Sequence, residues 1–113
     1  MALTTRLPRA VGEYACLPQS TYIEGAALAA AGTAERFAIP TGGARFVLFS
    51  ATAAFAAKIG GSSVTAAMPV DTTDGTASML NPSFREIGVN DTHISLVSAT
   101  AGCLVSMEFF LAP

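Results

Sequence analysis

Tryptophan is absent from this chain of 113 residues, histidine occurs once and cysteine twice. Charged residues make up 12% of it, about half of the ordinary share of roughly 25%. Six Lys and Arg against eight Asp and Glu leave a net charge of −2. That balance lacks the basic footprint of a nucleic-acid-binding protein. It also lacks the polybasic cluster that draws proteins to acidic lipid. The longest stretch without a charge covers residues 92–107 and is interrupted by Thr, Ser, Gly and His. It falls short of the ~20 apolar residues of a spanning helix. Residues 1–12 show no apolar run of the secretory-leader type, so the expectation is synthesis in a reducing cytoplasm with both thiols free.

Scarcity of reactive side chains also argues against catalysis. His93 stands beside Asp91 and Thr92 at the start of a strand-like run, where a polar residue is ordinary. One histidine and two distant cysteines do not supply the four closely spaced ligands of a structural zinc site. No serine lies in a G-x-S-x-G nucleophile elbow. Asp71, Asp74 and Gly75 offer two carboxylates in a loop. A calcium loop of the EF-hand type needs ligands at five or six positions, and Asp-Gly is a common turn dipeptide. The reading is therefore not an enzyme, with no cofactor and no metal. Cys103 lies in an alternating run and reads as a small buried apolar residue; Cys16 lies between Tyr14 and Pro18 in a segment without a period.

What is present is small residues: 22 Ala, 12 Thr, 10 Gly and 9 Ser, nearly half the chain. Leu, Ile, Val and Phe add about a quarter, above the roughly 20% below which chains tend to stay disordered. The recurring period is two. Residues 33–39 alternate, with Phe37 and Ile39 on one side. Residues 45–50 are dense in strand formers and apolar on both faces, as expected of an inner strand. Residues 53–59 put Phe55, Ala57 and Ile59 on one face. Residues 64–70 form a short edge-strand candidate, because Pro69 removes a ladder donor. A loop over residues 71–81 follows, then strand candidates at 84–89 and 93–98. Residues 102–111 alternate most clearly: Cys103, Val105, Met107, Phe109 and Leu111 share one face, and Leu104, Ser106, Glu108 and Phe110 the other. The alanine run at 26–31, bounded by Gly25 and Gly32, is open between a short helix, a strand and a bend. Short strands joined by Gly, Asn and Asp turns predict an all-β fold, a small antiparallel β-sandwich or barrel of jelly-roll-like type, over residues 21–113. Residues 1–20 carry Pro8 and Pro18 without a sustained period and read as an extended N-terminal arm.

Adjacent Phe109 and Phe110 in one strand must point to opposite faces. A small domain has one core, so a second apolar face needs cover from another sheet, an arm or another subunit. Charge depletion fits an interface core, and large exposed apolar patches are rare on monomers. A homo-oligomer of closed symmetry is expected. The candidate interface residues are Arg6, Arg9, Tyr14, Tyr22, Phe46, Phe49 and Phe110.

The stretch Ile39-Pro40-Thr-Gly-Gly-Ala-Arg45-Phe-Val-Leu-Phe-Ser50 resembles the opening strands of small virion proteins of tailed bacteriophages. So do Asp74-Gly-Thr-Ala-Ser-Met-Leu-Asn-Pro82, Thr92-His-Ile-Ser-Leu-Val-Ser98 and Gly102-Cys-Leu-Val-Ser-Met-Glu-Phe109. The likeness covers residues 33–110 and is one of order and style. It implies a non-enzymatic virion protein at the capsid surface, a decoration or cement protein. Its partners would be itself, as a trimer, and the major capsid protein or another virion protein, with Arg6 and Arg9 pairing with acidic capsid residues. A head-fibre or spike base, or a neck or tail component, is the second reading. A glycan-binding β-module is the third, weakened because only Tyr14 and Tyr22 carry a ring with a hydroxyl.

Overall fold

A computed structural model describes residues 20, 22–70 and 75–111, with nothing stated of the Leu111 side chain. The arm assigned to residues 1–20, with Arg6, Arg9, Tyr14 and Cys16, lies outside the described residues except for Ser20. So do Asp71 and Asp74. Among the described residues there is no helix and there are eight strands: β1 Tyr22–Leu28, β2 Glu35–Ala38, β3 Ala44–Ala51, β4 Ala56–Gly60, β5 Met79–Leu80, β6 Phe84–Glu86, β7 His93–Val97 and β8 Cys103–Leu111.

These strands form two four-stranded antiparallel sheets, ordered β1-β8-β3-β6 and β2-β7-β4-β5. The pairings β1 with β8, β2 with β7, β3 with β6 and β4 with β5 nest inside one another. The chain is thus one long antiparallel ribbon, rolled so that β8 meets β3 and β7 meets β4. That is the eight-stranded jelly roll, a sandwich and not a closed barrel. Every strand alternates sides, so each sheet turns one row of side chains inward. Leu28, Val47, Val105, Met107 and Phe109 from the first sheet meet Ala57, Ile94 and Leu96 from the second, all essentially inaccessible.

Turns close the roll where backbone geometry demands glycine. Gly102 takes φ of +77° between β7 and β8, and its N–H donates to the Leu28 carbonyl at 2.8 Å. Gly42 and Gly43 take φ of +109° and +89° between β2 and β3, a region that side chains with a Cβ avoid.

Three local expectations change. The alanine run is resolved: its first three residues complete strand β1, Ala26 and Leu28 facing in and Ala27 out. Residues 64–70 are not a strand. Their Ala66 N–H donates to the Ser95 hydroxyl at 2.8 Å, in place of a ladder partner. Within the segment read as a loop, Met79–Leu80 pairs with Ala57 and Ala56 as the short edge strand β5.

Candidate assembly surface

The two sheets differ in what covers their outer faces. On the second sheet, residues 61–70 fold back over β4 and β7, and residues 75–78 lie at its edge. Ala66 packs against Ala56 and Val97, with Ala34 and Met68 at the margin. The cations of that face hold the loop. Arg36 donates to the Ser62 carbonyl at 2.7 Å, and Lys58 donates to the Thr76 carbonyl at 2.9 Å. Ser95 and Ser98, both fully buried, spend their hydroxyls internally. Ser95 accepts from Ala66 N–H, and Ser98 donates to the Ala54 carbonyl at 2.7 Å.

No described segment lies in that way over the first sheet. The register assigns its outward row. On β8 this row is Leu104, Ser106, Glu108 and Phe110; opposite them on β1 stand Ala27, Gly25 and Ile23, and on β3 Ser50, Leu48 and Phe46. From β6, Phe84 pairs with Leu48 and Glu86 with Phe46. One end of this face is an aromatic cluster. Phe46 stacks on Phe84 at 5.4 Å with planes 10° apart, and Phe110 meets Phe84 edge-on at 5.7 Å. The other end is a shallow concavity of about 440 Å3 lined by Gly25, Ala27, Ser50, Thr52, Leu104 and Ser106 among others. Ile23 and Leu104 are 62% and 54% exposed. Glu108 is the sole charge on the outward rows of β1, β8 and β3.

Gly25 is unusual within this face. A glycine inside a strand costs roughly 0.5–1 kcal/mol relative to alanine. The usual reasons for one are a bulge, a bend or a close approach by another chain. The β1–β8 register runs unbroken through Gly25. Its φ is not positive, and a Cβ there would meet nothing within 4 Å. Nothing in the described residues demands its missing side chain.

Among the described interface candidates, Phe46 and Phe110 come together in the aromatic cluster. Tyr22 opens β1 half-exposed, its ring 6.2 Å from that of Phe109. Phe49 stands on the opposite side of β3, in the core, with its ring 5.8 Å from that of Phe55. The interface candidates read from the sequence did not include Ile23, Leu48, Phe84 or Leu104. Leu104 was legible, since the alternation of β8 sets it on the same side as Phe110. His93, half-buried, pairs its Nδ1 with the Thr92 hydroxyl at 2.9 Å. Cys103 is a free buried thiol. Among the described residues no three of His, Cys, Asp and Glu gather as a metal-binding group. No family model, curated protein or solved structure matches the chain.

Proposed function

We propose that this chain is a non-enzymatic virion structural protein, a capsid decoration or cement protein of a tailed bacteriophage that works as a homo-oligomer. One observation carries the reading: a largely apolar sheet face, charged at Glu108 and Glu86, that no described segment covers, on a molecule whose opposite face is roofed by its own loop. A monomer has little reason to keep such a face, whereas a subunit of an assembly requires one. The jelly roll is a recurrent fold of viral capsid proteins; a fold alone does not fix a function, and it serves here only as support. The particle itself is taken from the likeness of residues 33–110 to phage virion proteins. Residues 1–20, with Arg6 and Arg9, are assigned to the capsid contact, where several copies in one oligomer multiply a weak interaction through effective concentration.

The test is reconstitution. Purified protein mixed with undecorated capsids of the phage that carries it should bind to saturation at a fixed ratio to the capsid subunit. Arg6→Glu with Arg9→Glu should weaken binding while the β-domain keeps its circular dichroism spectrum. Binding to tails or fibres and not to capsids would move the protein to the second reading. No binding to any particle component would overturn the proposal.

A further inference from the structure

We infer that the outer face of the β1-β8-β3-β6 sheet docks a second copy of this chain, face to face. This rests on the self-assembly reading above and adds the surface and the partner. Size is the first argument. Strands of 7, 9, 8 and 3 residues, at about 3.4 Å per residue and about 4.8 Å between strands, give each copy roughly 440 Å2 of face. Two such faces remove about 900 Å2 from water, close to the roughly 1,000 Å2 of a stable interface and the size of a weak, concentration-dependent one.

Relief is the second argument. The face carries both projections and a depression to receive them. Leu104 and Ile23 are more than half exposed, and a concavity lined by Gly25, Ser50, Ser106 and Leu104 lies on the same face. A face with both a projection and a depression has the elements that an isologous, two-fold contact uses. Gly25 is explained by the same contact, since a strand glycine without an internal reason marks where another chain comes close. Chemistry is the third argument. An apolar face whose charges are Glu108 at its centre and Glu86 at its β6 edge carries no cation to hold a polynucleotide or an acidic partner. A like face matches it. The unit so formed is a dimer, in place of the trimer expected from the resemblance.

Two variants of the full chain test this by sedimentation velocity across a concentration series. Gly25→Val adds a strand-favouring side chain into open space, so it should leave the fold intact and fill the depression. Leu104→Glu places a charge on an exposed projection. The wild type should sediment as a dimer, and each variant should raise the dissociation constant at least tenfold with an unchanged sheet spectrum. A wild-type oligomer that both variants match would overturn this surface and leave the self-assembly reading standing. A wild type that stays monomeric at every concentration would overturn both; if Leu104→Glu then lowers its stability, the cover comes from the chain's own residues 1–19.

Discussion

Ser95→Ala is the perturbation that most sharply separates the two sheet faces. The Ser95 side chain is 1% exposed, and its Oγ accepts the Ala66 N–H at 2.8 Å. Alanine keeps the Cβ and the packing against β4 and removes only the acceptor. The Ala66 amide, on a residue 3% exposed, is then buried without a partner. Such a group costs about 1–3 kcal/mol, or roughly a 5- to 150-fold change in an equilibrium constant. The cheapest release is for residues 64–70 to lift away, hydrate the amide and uncover Ala56 and Val97. Local opening, not global unfolding, should absorb the cost. Amide hydrogen exchange reads it directly: Ala66 and Ala67 should lose between fivefold and a hundredfold of their protection, while Val105 and Met107 in β8 change far less. Unchanged protection at Ala66 would refute the claim that this hydroxyl ties the loop to the sheet.

Other outcomes follow from the same geometry. Phe109→Ala, at a 1% exposed core position, should cost about 3–5 kcal/mol in a denaturant titration; a loss below 1 kcal/mol would mean that the two sheets do not share this core. Gly102→Ala should cost about 1–2 kcal/mol because φ of +77° disfavours a Cβ although space is open. Gly102→Asn should cost less, and the reverse order in thermal unfolding would count against that turn geometry. Glu108→Gln removes the one charge from the centre of the proposed interface. It should tighten self-association by about fivefold, near 1 kcal/mol, and weaker association on sedimentation would contradict the placement of Glu108 at a contact between like faces.

Much of the architecture is legible in the residues because alternation survives wherever side chains differ in size. In β8, Val105, Met107 and Phe109 against Ser106 and Glu108 set the period, and the structure keeps it. In β1 the inward and outward positions are both alanine, so the burial of Ala26 and the exposure of Ala27 leave no mark in composition. The β5 strand is invisible for another reason. Two residues carry no period, and Met79–Leu80 is set by its partner β4. Residues 64–70 mislead because their backbone donors find side-chain acceptors, Ser95 for Ala66 and Ser78 for Ala67, which local sequence does not announce. The candidate surface was half legible: Phe110 came from the need of adjacent Phe109 and Phe110 for two covered faces and Phe46 from a strand apolar on both sides, whereas Phe84, Ile23 and Gly25 join them only through strand order.

Quantitative composition of purified phage particles tests the central claim most directly. With the chain measured against the major capsid protein by mass spectrometry, a decoration protein should appear in a fixed ratio and in hundreds of copies per particle. A few copies per particle would make it a fibre, neck or tail part. Its absence from intact particles that express it would contradict the account.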